Sequence, residues 1–167
     1  MKPEANRQQV STKTLMPFLE EMLQMGKQVR LTVTGDSMMP IWRNGVDSVI
    51  LQKATIPKRF DVVLYTRPNG DVILHRIVRC MPEGYMIIGD NQTQVDGPIP
   101  LSQISAVVTG FYRGDTFYTA SSAWYWIYSR IWTLAGPMRR FLYPATKTAA
   151  KILKHLEKAK KNNEMDS

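Results

Sequence analysis

The sequence has one cysteine and no long apolar run, and each scarcity excludes a class of protein. Because Cys80 is the only cysteine, no disulfide can form within the chain and no cysteine-rich zinc site is available. A membrane-spanning helix needs about 20 consecutive apolar residues, and no stretch of this chain supplies them. We assign no role to Cys80, and we expect neither a metal nor a cofactor.

Positive charge is abundant overall but scarce in the middle of the chain. The formal net charge is +8, of which residues 139–167 contribute +5, residues 1–30 contribute +2 and residues 31–138 only +1. A nucleic-acid-binding domain usually carries a basic patch and a recognisable motif. The central segment is nearly neutral and holds no zinc-finger or RNA-binding motif, so we expect no nucleic-acid partner.

The composition, 44% apolar and 22% charged, is typical of a folded globular protein. We divide the chain into an N-terminal amphipathic helix (residues 1–28), a β-rich domain (residues 29–118) and an aromatic and basic helical segment (residues 119–167). In the first part, apolar residues recur at helical spacing before the stop signal Gly26. They are Leu15, Phe18, Leu19, Met22 and Leu23.

The central part alternates short runs rich in Val, Ile, Thr and Tyr with turn residues, a pattern typical of β-strands. The predicted strands span residues 29–34, 47–51, 61–65, 72–78, 84–88 and 106–112. Asn69 and Gly70 indicate a hairpin turn, and we expect another turn at residues 98–100. The sequence therefore predicts a mainly β fold, a compact antiparallel sheet flanked by an N-terminal helix and C-terminal amphipathic helices.

Candidate chemistry lies where these strands end. Ser37 follows the first strand, after Gly35, which permits close backbone approach, and before Pro40, which restricts the turn. A serine hydroxyl needs a base to become a nucleophile, and the imidazole of His75 has the right chemistry near neutral pH. A carboxylate that orients the ring completes such a site, and Asp90 and Asp96 are both available.

The order and spacing of four segments resemble the signal peptidase I family, in particular its endoplasmic-reticulum and archaeal branch. These segments are Gly-Asp-Ser-Met-Met-Pro at 35–40, Asp-Val-Val at 61–63, His-Arg-Ile-Val at 75–78, and Gly-Asp-Asn at 89–91 with Asp96. The resemblance covers residues 29–112. It implies a β-rich peptidase fold shared with self-cleaving SOS-type repressors, and cleavage of a signal or leader peptide after a small residue.

The same resemblance implies a role for each matching residue. Ser37 corresponds to the nucleophile, and His75 replaces the lysine base of most bacterial members. Asp96 or Asp90 orients His75, with Asp96 favoured and Asp90 shaping the loop.

The substrate side is expected to include Gly35, Asp36, Met38 and Pro40, with Met38 lining the cleft and the Ser37 backbone N–H donating to the oxyanion. Many members carry a second donor, a serine, where this chain has Gly35.

A further departure from the family is the lack of an N-terminal transmembrane helix, which leaves attachment open. Residues 123–135 are rich in Trp and Tyr, and basic residues alternate with apolar ones after Pro144. We expect residues 123–160 to bind a membrane surface, with a membrane-protein partner also possible. The alternative is that Trp124, Trp126 and Trp132 pack on the protein itself, which is also compatible with a cytoplasmic location.

Two other functions stay open from the residues alone. One is a binding or regulatory module that holds a peptide, or cleaves only itself, without general peptidase activity. Self-cleavage requires a small-residue scissile site in a mobile arm, and the first 30 residues contain no clear Ala-Gly bond. The other is nucleic-acid binding, which the charge distribution disfavours.

Overall fold

The computed structural model describes residues 12–136, which form one large antiparallel sheet with two helices. The helices are α1 (Thr12–Gln24) and α2 (Ala123–Leu134). The strands are β1 (Val29–Thr32), β2 (Ser48–Lys53), β3 (Val62–Thr66), β4 (Val72–Met81), β5 (Gly84–Ile88), β6 (Val95–Ile99), β7 (Ile104–Arg113) and β8 (Thr116–Thr119). The mainly β fold class is confirmed for these residues, whereas the helix expected after Pro144 lies outside them.

Strand β7 pairs with three other strands, β2, β3 and β8. The strand order is β1-β2-β7-β3-β4-β5-β6, and β8 pairs with the end of β7. All neighbouring strands are antiparallel. Because β3 and β4 are joined by a short hairpin, residues 62–66 and 72–76 lie side by side along their whole length. This hairpin brings the strand that carries His75 into the middle of the sheet.

The sheet is buried on both faces, and strand β3 contributes to both. Val62 and Leu64 belong to one core, whereas Val63 and Tyr65 belong to the other, as the alternation of side chains along a strand requires. The first core also contains residues of α1, α2 and the loop after β1: Leu19, Leu23, Met38, Trp42 and Tyr125. The second core contains Ile77, Ile87, Ile99 and Ile104. We call these the α-side core and the second core.

Two expectations about turns had different outcomes. The hairpin turn at Asn69 and Gly70 is confirmed, with Gly70 at φ +81° and the Arg67 N–H donating to the Asp71 carbonyl at 2.8 Å. The turn expected at residues 98–100 is wrong over its first half, because β6 runs through Ile99 as an edge strand paired with β5. An edge strand tolerates Pro98, since the missing N–H need not find a partner in the sheet.

Helix α1 confirms the N-terminal helix for residues 12–24 but changes its buried face. Met16, Leu19 and Leu23 are buried, whereas the Phe18 side chain is 62% exposed. The helix ends where Gly26 takes φ +73°, and the Lys27 N–H donates to the Met22 carbonyl there. This is the left-handed C-terminal cap that glycine favours.

Helix α2 packs on the sheet through one side. Tyr125 is buried in the α-side core, and Trp124 meets the rings of Phe111 and Tyr118 edge-on at 5.8 and 5.3 Å. The alternative in which the tryptophans pack on the protein is therefore confirmed for Trp124 and for Trp132, whose ring stacks on Tyr128, but not for Trp126, which is 52% exposed. None of the helices in residues 12–136 combines the length and apolar character needed to cross a bilayer.

Candidate active site

Ser37 lies in the tight loop that follows β1, with its backbone tied to a second loop. The Asn91 N–H donates to the Ser37 carbonyl at 2.7 Å, and the Asn91 side-chain amide donates to the Asp36 carbonyl at 3.0 Å. Gly35 takes φ +82° and donates its N–H to Asn44 Oδ1 at 3.1 Å. The serine, which is partly exposed, is thus held by the Gly89–Asn91 loop, although 52 residues separate the two segments.

His75 is held in the middle of β4 with its imidazole 2% exposed. It pairs directly with Val63 on β3, so its side chain lies on the same face of the sheet as Val63 and Tyr65. Its Nδ1 lies 3.3 Å from the Tyr65 hydroxyl and 3.6 Å from Asp96 Oδ2. Tyr65 and Asp96 therefore form the environment of one ring nitrogen.

Asp96, on the edge strand β6, is the carboxylate beside His75. Its Oδ2 accepts hydrogen bonds from the Tyr65 hydroxyl and from the Arg67 guanidinium, whose Nε donates at 3.2 Å. Partial burial acts to raise the pKa of Asp96, but these hydrogen bonds and the Arg67 charge outweigh it and lower that pKa. Asp96 is therefore ionised at neutral pH.

The hydrogen bonds assign the tautomer of His75. A phenol has a single proton, and the Tyr65 hydroxyl donates it to Asp96. The Tyr65 oxygen is then an acceptor toward His75, which requires the imidazole proton to sit on Nδ1. The lone pair is consequently on Nε2, the nitrogen that a general base needs free.

Nε2 faces the Ser37 loop across Gly89. A methyl group at Gly89 would lie 2.9 Å from His75 Nε2 and 2.8 Å from the Ser37 carbonyl oxygen. His75 and the serine loop therefore converge on the same small space, which only glycine leaves open. Among residues 12–136 no hydrogen bond joins the Ser37 hydroxyl to His75, and such bonds are often long before a substrate binds.

Asp90 lies on the other side of the strand from His75. Both of its carboxylate oxygens accept from Arg76, at 2.8 Å from Nε and 2.7 Å from Nη2, and both side chains are fully buried. Because His75 and Arg76 are consecutive in a strand, their side chains point to opposite faces. Asp96 therefore lies beside the ring of His75, whereas Asp90 forms an ion pair with the Arg76 guanidinium.

The four residues expected on the substrate side are placed differently. Gly35, Asp36 and Pro40 are exposed in the loop around Ser37. Met38 is 1% exposed and packs in the α-side core with Trp42. The expectation that Met38 lines the cleft is wrong, because its side chain is buried in the α-side core.

Three side chains of the site were not singled out from the sequence: Tyr65, Arg67 and Arg76. The sequence predicts Tyr65 only as part of an apolar strand, and Arg67 only as part of the turn after it. Their contacts with Asp96 depend on strand pairing across 31 and 29 residues. Only Arg76 could have been found from the sequence. It is a charged residue beside His75 in an apolar strand, and a buried charge needs a partner of opposite charge.

No three His, Cys, Asp or Glu residues are grouped as a metal site within residues 12–136.

A scan against protein-family models gives no match, and a search of curated proteins finds no relative. The site must therefore be interpreted from its own geometry and from the resemblance of its motifs.

Burial of His75 predicts a distinctive pH dependence of stability. Burial lowers the pKa of His75 from 6.5 to about 4, although the Asp96 charge opposes this. Between these values the unfolded chain binds a proton that the folded protein does not. Stability is therefore expected to fall as the pH drops from about 6.5 to 4, with His75 contributing about 3 kcal/mol of the loss.

The measurement is the free energy of unfolding in urea at pH 7.5 and pH 4, for wild type and His75→Gln. Taking the difference between the two proteins at each pH cancels the titration of the carboxylates they share. We expect this difference to change by about 3 kcal/mol over the range. Parallel curves for the two proteins would mean that His75 keeps an ordinary pKa.

Proposed function

We propose that the protein is a serine endopeptidase of the signal-peptidase type, which cleaves a signal or leader peptide after a small residue. The observation that carries the proposal is the orientation of His75. Nδ1 is turned toward Tyr65 and Asp96, and Nε2 is turned toward the Ser37 loop. A nucleophile, a base and an orienting carboxylate in this relation are the parts of a serine-peptidase triad.

In the proposed mechanism, the Ser37 oxygen attacks the scissile carbonyl carbon while His75 Nε2 accepts the hydroxyl proton. The imidazolium that forms is stabilised by the ionised Asp96, through the Tyr65 hydroxyl and the charge itself. Nε2 then gives its proton to the leaving amine, which departs as the C–N bond breaks. Water, deprotonated by the same nitrogen, hydrolyses the acyl-serine and restores Ser37.

The preference for small residues rests on the resemblance of residues 35–40, 75–78 and 89–96 to the signal peptidase I family. The Ser37 backbone N–H is proposed as one oxyanion donor. Gly35 offers no side-chain hydroxyl as a second donor, and its N–H is bonded to Asn44. Loss of one oxyanion donor costs about 10²–10³ in rate elsewhere, so we expect a slow enzyme.

The alternative is a module of the same fold that binds a peptide, or cleaves only itself. The absent Ser37–His75 hydrogen bond and the 2% exposure of His75 favour it. In this alternative the protein holds an extended peptide but does not turn it over. The two proposals differ in one observable, the release of cleaved peptide from separate substrate molecules.

We also propose that the enzyme works at a membrane surface. Four apolar side chains on the outward side of α2 are at least half exposed: Trp126, Ile127, Ile131 and Leu134. Large exposed apolar patches are uncommon on proteins that bind nothing there. The sequence that follows α2 is strongly basic, which favours anionic lipid.

The test is cleavage of peptides with small residues at the −1 and −3 positions, in detergent and with anionic vesicles. We expect wild type to release product faster with vesicles, and Ser37→Ala to release none. Product formation that Ser37→Ala leaves unchanged would contradict the proposal. So would the absence of cleavage by wild type under every lipid condition, which would favour the binding module.

A further inference from the structure

The loop of Gly89, Asp90 and Asn91 lies between the two central groups of the site, the Ser37 loop and His75. Asn91 holds the carbonyls of Ser37 and Asp36, and Gly89 separates the Ser37 carbonyl from His75 Nε2. A displacement of this loop would therefore move Ser37 relative to the imidazole. Whatever fixes the loop also fixes the geometry of the proposed nucleophile and base.

Helix α2 contacts this loop through hydrogen bonds to Asp90. The Trp132 indole N–H donates to the Asp90 backbone carbonyl at 2.8 Å. The Tyr128 hydroxyl donates to Asp90 Oδ2 at 3.3 Å. Helix α2 follows the last strand of the sheet, so it contacts this loop from a part of the chain separate from the Ser37 loop and from strand β4, which carries His75.

The contacting side of α2 is a column of stacked rings over a buried charge. Tyr125 and Tyr128 stack with ring centroids 6.3 Å apart, and Tyr128 and Trp132 stack at 5.7 Å. The Arg76 guanidinium lies 5.5 and 5.8 Å from the two tyrosine rings and donates to the Tyr125 hydroxyl at 3.3 Å. Rings that are packed, stacked and hydrogen-bonded have few alternative rotamers, so these contacts define the orientation of the Tyr128 and Trp132 side chains.

We infer that helix α2 positions the groups of the site. Trp132 and Tyr128 are positioning residues that hold the Gly89–Asn91 loop, and this loop holds Ser37 opposite His75. The expected change in kcat rests on the proposed function. The structural statement, that helix α2 holds the Ser37 loop in place, does not depend on peptidase activity. In this proposal Trp132 acts through the Asp90 carbonyl, to which its indole N–H donates.

The test compares Trp132→Phe with Trp126→Phe in the full-length protein. Trp132→Phe keeps an aromatic ring for stacking but removes the N–H that donates to Asp90. Trp126 is the matched control for the NMR readout alone, recorded without lipid, because it is on the same helix, 52% exposed, and lies 3.5 Å from the Arg130 guanidinium rather than against the loop. Tyr128→Phe is the second variant, since it removes only the hydroxyl that donates to Asp90.

The first readout is NMR and needs no substrate. We expect the Asn91 amide and the His75 imidazole signals to shift in Trp132→Phe and Tyr128→Phe but to stay at the wild-type positions in Trp126→Phe. Unchanged signals in Trp132→Phe and Tyr128→Phe would overturn the inference, even if both proteins lost stability. If Trp132→Phe fails to fold, Tyr128→Phe decides alone.

The second readout is kinetic and applies if the wild type cleaves peptide. We expect kcat to fall between about tenfold and a hundredfold in Trp132→Phe, with KM little changed, because misplacement of reacting groups affects the chemical step. A rise in KM at constant kcat would contradict a positioning role. Shifted NMR signals in a protein that cleaves nothing would refute the peptidase proposal while leaving the role of α2 supported.

Discussion

His75→Gln is expected to lower kcat for peptide cleavage by about 10⁴, the upper end of what a general base contributes. The expectation follows from the hydrogen bonds around the ring, which put the proton on Nδ1 and the lone pair on Nε2 beside the Ser37 loop. Glutamine fills much of the space and can bond to Tyr65, but it cannot accept a proton at neutral pH. The measurement is single-turnover cleavage of a leader-like peptide.

Ser37→Ala in the His75→Gln background is expected to cause almost no further loss. Groups that act as one unit in a reaction are not additive, because either substitution alone already abolishes the shared step. A double-mutant cycle over Ser37→Ala, His75→Gln and the pair therefore tests the partnership directly. Losses that multiply in the double variant would mean that the two residues act independently.

Cys80→Ser is the control for the same strand. Cys80 also lies in β4, but it is exposed and pairs with Tyr85 near the end of the strand, five residues from His75. We expect it to cleave at the wild-type rate, which would also exclude the thiol as the nucleophile. Equal unfolding free energies for Cys80→Ser and wild type would establish that a polar change in β4 is not damaging in itself.

The central strands could be predicted from the sequence, because their signals are local, whereas Ser37 and His75 are paired as candidates only by the resemblance of their motifs to the signal peptidase I family. Short runs rich in Val, Ile and Leu, together with the Asn69-Gly70 turn between them, define β3 and β4 without reference to the rest of the chain. Strand β6 could not be predicted in this way. Its sequence, Val-Asp-Gly-Pro-Ile, lacks alternation, and it becomes a strand only by pairing with β5.

The choice between Asp90 and Asp96 could not be made from spacing, since both follow His75 at similar distances in the chain. The decision depends on Arg76, whose guanidinium is buried and must be neutralised. Side-chain alternation in β4 sends Arg76 to the face opposite His75, and Asp90 is the carboxylate on that face. The remaining carboxylate, Asp96, then meets Tyr65 and Arg67 beside the imidazole.

The position of the Tyr65 hydroxyl, between His75 and Asp96, could not be predicted from the sequence. In sequence it ends an apolar run, where a tyrosine is most often a core residue with an incidental hydroxyl. Its ring is indeed buried in the second core. Only the register of β3 against β4, together with the pairing of β5 with β6, puts the hydroxyl between His75 and Asp96.

Gly89→Ala is expected to lower kcat by at least about a hundredfold while the protein still folds. The added methyl group would lie 2.8 Å from the Ser37 carbonyl oxygen and 2.9 Å from His75 Nε2, closer than real contacts allow. Gln92 lies 3.1 Å away on a third side, so the loop has little room to retreat. Separation of the two groups by even about 1 Å is enough for a loss of this size. Cleavage kinetics and urea unfolding of the same preparations measure both effects.

Gly110→Ala is the matched control, because its methyl group would also crowd a neighbour, the Phe117 ring at 2.8 Å, but in the β7–β8 pair rather than at His75. Crowding in packed regions costs about 1–3 kcal/mol, so both variants are expected to be less stable than wild type. Only Gly89→Ala should lose kcat, because only there does the added methyl group separate the nucleophile from the base. Equal kcat in the two variants would mean that the space at Gly89 is not needed for catalysis. Loss of kcat in Gly89→Ala together with an unshifted His75 imidazole signal would point to a blocked substrate path instead of a displaced base.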